Sequence, residues 1–239
     1  MKHKISAILY LLLLWQIVSG MMHNNLVMPG VVPVVKRMGI MLGQADFYLA
    51  LLLTMSHVLI SILIAFLVAL VLSYLSYRYS SVEEIASPII AIFQAIPNIS
   101  YIILALVWTG SLQTVFLVLF LVLFPMLYTN LLEGFKGIDS DLKDVIWLYH
   151  PPLDYKIMHV YLPLISHSVI AGLKNALNLG IKVGVMAEIL AASETGVGRA
   201  MNYCRTNFDM IGLFAWTIYL VILIMLIDAL MKKTVYKNA

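Results

Sequence analysis

Charge is scarce in this sequence. Asp, Glu, Lys and Arg supply 11% of its 239 residues, against roughly a quarter in ordinary soluble domains. With 62% hydrophobic residues and a mean hydropathy of +0.97, the chain carries more apolar surface than a water-soluble fold of this length can hide. Cysteine is nearly absent: Cys204 stands alone, which excludes a disulfide within one chain and a Cys-rich metal site. There is no G-x-x-x-x-G-K-[ST] loop to cradle nucleotide phosphates. There is no H-E-x-x-H, and His150, His159 and His167 lack metal-ligand spacing. A G-x-S-x-G elbow and a pair of intramembrane aspartates are also missing, so an intramembrane enzyme is disfavoured. The net charge of +3 is modest and its basic residues are spread among loops, which argues against nucleic acid as a partner.

What the chain does have is long apolar runs. The periodicity and run lengths predict an all-α membrane protein of about six transmembrane helices, over residues 5–22, 47–77, 85–109, 112–132, 160–190 and 211–231. The first run follows Lys2-His3-Lys4 and has the basic start and short apolar core of a secretory signal peptide. Trp15-Gln16 late in that run suits a retained span at its interface better. Between residues 23 and 46, Val31, Val34, Val35 and Met38 suggest a short amphipathic helix. Ile85–Leu132 holds 48 residues without a charge, too long for one span and right for two joined at Gly110-Ser111. Pro97 should kink the first of these. Gln94, Asn98 and Ser100 surround it, either satisfying the backbone groups that the proline frees or lining a water-filled path.

The fifth span is the most informative. Gly172, Ala176, Gly180 and Gly184 form an i, i+4 ladder of small residues, which permits close helix packing. Ala171, Asn175, Asn178 and Lys182 cluster on a different face. A lysine inside a span must snorkel, pair or face water. Glu188 follows six residues later on another face, so the two cannot form an i, i+4 pair. Beyond it, residues 191–209 read as an external loop in which Gly196-Val197-Gly198 suits a tight or close-packed turn. No internal repeat or separate soluble domain is visible, so residues 1–239 read as one transmembrane domain.

One polar island interrupts the apolar chain. Eight charged residues crowd into Glu133–Lys156. Ser140 is a plausible helix N-cap. Leu142, Val145, Ile146 and Tyr149 then recur at helical spacing, and His150-Pro151-Pro152 ends the helix. A short amphipathic helix in a loop between two spans must bury its stripe on the bilayer, on its own bundle or in another protein. Six spans place both termini and this loop on one side, with nine Lys and Arg residues against four on the other. The positive-inside rule makes that side the cytoplasm.

The island's spacing resembles a signature of bacterial ABC importer permeases: Glu-Ala-Ala, three residues, Gly, nine residues, Ile-x-Leu-Pro. Here the register reads Asp144-Val145-Ile146, three residues, His150, nine residues, Val160-Tyr161-Leu162-Pro163. The rest of the chain is similar to the permeases of the nitrate, taurine and aliphatic-sulfonate branch. Leu14-Trp15, Met28-Pro29, Ala95-Ile96-Pro97, Gly172-Leu173, Ala187-Glu188, Gly196-Val197-Gly198 and Asp228 fall in that branch's order. The resemblance implies a type I ABC importer permease architecture in which residues 133–159 form a cytoplasmic coupling loop. Leu142, Asp144, Val145, Ile146, Tyr149, His150, Leu162 and Pro163 would meet a separate ATPase, present in two copies, on which ATP and Mg are held. A second permease copy, identical or related, and an extracytoplasmic substrate-binding protein are the other implied partners. Gln94, Pro97, Asn98, Asn175, Asn178, Lys182 and Glu188 are candidates for the translocation path. The solute implied is a small sulfonate-, taurine- or nitrate-like anion, with a thiamine-precursor-like heterocycle as the alternative. An ion-gradient-driven transporter would instead use Lys182 and Glu188 as coupling charges and carry inverted repeats.

Overall fold

The structure is a computed structural model that describes residues 2–22, 24, 26–139, 142, 148, 152 and 155–237. Among these residues all regular structure is helical, with no strand. Nine helices follow one another among the described residues: α1 Lys2–Met22, α2 Val31–Met41, α3 Ala45–Arg78, α4 Ser80–Ala95, α5 Asn98–Trp108, α6 Ser111–Lys136, α7 Ser166–Leu190, α8 Gly196–Thr206 and α9 Met210–Lys237. A π-helical segment, Lys156–Tyr161, and a single turn, Leu162–Leu164, lead into α7.

Four of these helices, α3, α6, α7 and α9, are long and apolar enough to cross a membrane. The pair α4–α5 raises the number to five if it counts as one span, and α1 occupies the place of the first expected span. Asp144, Val145, Ile146, Tyr149 and His150 lie outside the described residues, as does Ser140. Of the other residues assigned to the coupling loop, Leu142 is exposed, Leu162 half-buried and Pro163 exposed.

The centre of the fold is the packing of α3 against α6 and of α7 against both. The small-residue ladder is what allows it. A Cβ on Gly180 would lie 2.9 Å from a Val58 methyl, and one on Gly184 would lie 3.1 Å from the other Val58 methyl. Gly172 and Gly134 play the same part between α7 and α6, where an added Cβ would meet Asn130 and Ser168. The ladder therefore packs inside the subunit. At the end of α3 that carries Arg78, Tyr161 sits buried among Tyr74, Tyr77 and Phe135, with ring centroids 5.7–5.9 Å away. This aromatic knot fixes the chain as it leaves the 133–159 loop. Lys136 pairs with Glu83 at the same end.

Two expectations are corrected. The segment 85–109 is not a kinked helix: α4 and α5 meet at 95°, with Ile96 extended at φ −74°, ψ 127°. Pro97 has no N–H for the Phe93 carbonyl and forces its predecessor out of the helical region. The freed carbonyl is taken by Tyr101, whose hydroxyl donates to Phe93 O at 2.8 Å. Gln94 instead reaches α6, donating to Pro125 O at 3.3 Å and Thr129 Oγ1 at 3.1 Å. The segment 191–209 is not a loop either, because Gly196–Thr206 forms α8.

On the opposite end, α2 forms where the valine pattern predicts it. Val34 and Met41 are buried, while Val35 points outward. Trp15 Nε1 donates to Pro29 O at 2.9 Å and its ring stacks on Phe214 at 5.6 Å, so α1 is tied both to the approach to α2 and to α9.

Candidate functional site

Helix α7 carries two kinds of polar group on two sides. Asn175 and Lys182 are exposed, and Ala171 and Asn178 are half-buried, so the face expected to be polar is the face left uncovered. Asn178 Oδ1 is buried without a hydrogen-bond partner among the described residues. Lys182 makes no ion pair or hydrogen bond among the described residues. It lies about 24 Å along α7 from Ser166, so it cannot simply sit at the end of the helix nearer the 133–159 loop. One turn below Asn178, Lys174 pairs with Asp228 of α9 at 2.9 Å. The bent α4–α5 junction exposes Gln94 and Pro97 and half-buries Asn98.

Glu188 is different. It is fully buried, about 120° around the helix from Lys182. Three donors surround its carboxylate. Thr54 Oγ1 lies 3.0 Å and 2.9 Å from its two oxygens and shares one proton between them. His57 Nδ1 lies 2.9 Å from Oε1, and because a carboxylate only accepts, the ring takes the Nδ1–H tautomer. The Gly198 amide donates to Oε2 at 2.8 Å. Thr54 Oγ1 in turn accepts from the Val197 amide at 2.7 Å. Val197 and Gly198 are the second and third residues of α8, and Thr195, in the N-cap position, makes no side-chain bond to them. Glu188 and Thr54 therefore cap α8 from two other helices. A negative group is favoured there because the unpaired amides of a helix start carry partial positive charge.

The glycines make this approach possible. Gly196 has φ +87°, a region that L side chains rarely enter, and a Cβ at Gly196 or Gly198 would collide with the Glu188 side chain. The sequence showed Glu188 and Gly196-Val197-Gly198 as separate features, and α3 supplies the missing half. Thr54 and His57 are buried polar residues in a charge-free apolar run. A histidine in such a run, which burial penalises unless it is hydrogen-bonded, was the available signal.

In this arrangement the Thr54 hydroxyl donates to the Glu188 carboxylate, but both are buried, so the pair presents no open reactive group. Among the described residues no group of three His, Cys, Asp or Glu side chains could hold a metal. Its chemistry is that of a scaffold with one closed polar cluster and one open polar face across apolar spans.

Spanning helices with an uncovered polar face define a multi-pass transport protein of the membrane. Residues 61–234 match the family model described as binding-protein-dependent transport system inner membrane component, and the chain belongs to that family. It is thus an ABC importer permease, a non-catalytic membrane component, with ATP hydrolysis carried out by a separate ATPase. It is 25% identical over 207 residues to a putative ABC transporter permease protein of Methanocaldococcus jannaschii, covering 84% of this chain and 77% of that one. It is 25% identical over 226 residues to the formylaminopyrimidine transport permease protein ThiX of Halalkalibacterium halodurans, covering 94% and 90%. It is 22% identical over 213 residues to the putative aliphatic sulfonates transport permease protein SsuC of Bacillus subtilis, covering 86% and 76%. In fold it is similar to an inward-facing structure of the MetNI methionine ABC transporter, with a TM-score of 0.68, 18% identity, and coverage of 78% of this chain and 93% of that one.

Proposed function

We propose that two copies of this chain enclose the path of an ATP-driven importer for a small solute bearing an acid group. The observation that carries this reading is the exposed face of α7, where, among the described residues, Lys182 is unpartnered and Asn178 Oδ1 is buried without a donor. A lysine within a span is costly against lipid and is stabilised by water or a counter-charge. A second copy facing α7 would enclose that face in a polar channel with Asn175, and with Gln94, Pro97 and Asn98 of the bent α4–α5 junction. A cation on the path favours an anion, which fits a sulfonate-, taurine- or nitrate-like solute better than a positively charged one. Glu188, saturated and sealed, supports the path from behind rather than lining it.

An extracytoplasmic binding protein would deliver the solute. Two ATPase subunits holding ATP and Mg would drive the cycle through the 133–159 loop. The distribution of basic residues, nine against four, supports placing this loop and both termini in the cytoplasm. Expressed with its ATPase, the chain should co-purify with it at two permease copies per complex by mass measurement. Ile146→Asp should keep the permease in the membrane and dimeric while removing the ATPase and substrate-driven hydrolysis together. Full substrate-driven hydrolysis in that variant would remove the loop from the coupling role, and a single permease copy would overturn the dimer.

A further inference from the structure

A cavity of about 400 Å³ opens between α2, the first turns of α3, α8 and the start of α9. It lies on the opposite end of the molecule from the 133–159 loop, since its deepest α3 residue, Leu53, is 24 positions before Tyr77 of the aromatic knot, about 36 Å along the helix. Its size is that of a small-molecule site. Phe47 and Trp216, both nearly buried, make apolar walls. Arg37, Arg199 and Asp46 supply the charges.

Those charges are unevenly satisfied. Arg37 gives one nitrogen to Asp209 at 3.0 Å, but its Nε is buried with no acceptor among the described residues. Buried donors without partners are rare and costly, and each asks for an explanation. Arg199 is exposed and makes no ion pair or hydrogen bond among the described residues. Asp209 is already occupied by Arg37 and by the Gly212 amide at 2.8 Å. Asp46 stands in the first turn of α3, where the helix start favours its charge. The Cys204 thiol, also on the wall, is pushed up by burial and by the Asp209 carboxylate, so it adds no negative charge. The balance of the lining is two guanidinium groups against one carboxylate. Gly212 keeps the packing behind it intact, because a Cβ there would press on Cys204 Sγ at 2.8 Å.

We infer that this cavity binds a small organic acid, its acid head between the Arg199 and Arg37 guanidinium groups and its apolar body against Phe47 and Trp216. It is a site within one subunit, apart from the open face of α7. Guanidinium groups suit carboxylate, sulfonate and phosphate oxygens alike. A dissolved acid and an anionic lipid headgroup therefore share the required chemistry. An occupant would tie α8 to α2 and α3 from outside, as Glu188 ties α8 to α3 and α7 from within.

The test uses the full chain in nanodiscs, in a Lys182→Met background so that the α7 face does not contribute. In discs of phosphatidylcholine alone, calorimetry with butane-1-sulfonate should show saturable binding. Arg199→Gln should weaken it at least about tenfold, the loss expected for a charge-assisted contact. Arg205→Gln, on the same helix, held by Asn202 at 2.8 Å and outside the cavity wall, should leave it unchanged. In discs containing phosphatidylglycerol, native mass spectrometry should detect retained lipid that Arg199→Gln releases if the headgroup is the occupant. Sulfonate binding or lipid retention that depends on Arg199 supports the site and names its source. Neither signal, or a signal indifferent to Arg199→Gln, overturns it.

Discussion

Two of the charges on helix α7, Lys182 and Glu188, stand six residues apart and live under opposite conditions. Glu188 is sealed, with Thr54, His57 and the Gly198 amide as donors to its carboxylate. Lys182 is open and has no partner among the described residues. The energetics differ accordingly. A buried carboxylate is tolerable only when its lone pairs are filled, and once filled it fixes the positions of all its donors. These donors belong to α3 and α8, so Glu188 joins three helices at one point. An exposed lysine within a span fixes nothing in its own chain and gains its stabilisation from whatever comes to meet it. The comparison teaches that charge within a span can serve architecture or traffic, and that satisfaction by the chain's own donors separates the two.

The strongest way to break the comparison is at the sealed end. Glu188→Ala would leave His57, Thr54 and the Gly198 amide facing a void. Removing one partner of a buried charged network typically costs on the order of 3–5 kcal/mol. The variant should therefore lose most of its thermal resistance in detergent. Glu188→Gln keeps the shape but turns an amide N–H₂ toward donors, and should cost roughly 1–3 kcal/mol. Differential scanning fluorimetry against the Lys182→Met chain checks both. An unfolding midpoint for Glu188→Ala equal to that of Lys182→Met would show that the cluster does not hold α8.

How much of this was legible beforehand follows from the range of each contact. The small-residue ladder and the polar face of α7 were visible because helical periodicity is local. Whether the ladder packed within or between subunits was not, since that depends on Val58 of α3 and on Asn130 of α6. Glu188 was visible as a charge and placed on the path, but its partners His57 and Thr54 sit 131 and 134 positions away. No periodicity joins residues so distant. Gly196-Val197-Gly198 was legible as a tight approach but not as the start of α8, because its N-cap comes from other helices. Pro97 was legible as a bend. Its 95° depends on α5 finding new packing on α6, and on Tyr101 replacing the lost donor.

A smaller effect sharpens the comparison at the α4–α5 bend, where a polar group is also satisfied internally. Tyr101→Phe deletes the hydroxyl that reaches Phe93 O while keeping the ring in its buried seat. One neutral hydrogen bond contributes about 1 kcal/mol net, and the stranded carbonyl adds its own cost unless water enters. The expected loss is about 1–2 kcal/mol, read as a lowered unfolding midpoint. If the midpoint does not move, water already serves that carbonyl and the bend is wet, which would bring Gln94 and Asn98 closer to the proposed path.

The smallest effect on stability should come from Lys182→Met, and it is the most informative for transport. Methionine has nearly the length of the lysine stem and no charge. Since Lys182 makes no ion pair or hydrogen bond among the described residues, its loss should shift stability by no more than about 0.5 kcal/mol. The same change removes a cation from the polar face of α7, where a partly desolvated charge acts strongly on a passing anion. Uptake of an acidic solute should fall on the order of tenfold, and discrimination between an acid and its neutral analogue should shrink in step. Restoring the charge with arginine should recover part of the preference. The two measurements together decide the role of the residue. An unchanged midpoint with lost selectivity assigns Lys182 to traffic. An unchanged midpoint with unchanged uptake and preference would mean that the ammonium merely bends to the membrane surface, and the open face of α7 would then have to be explained without it.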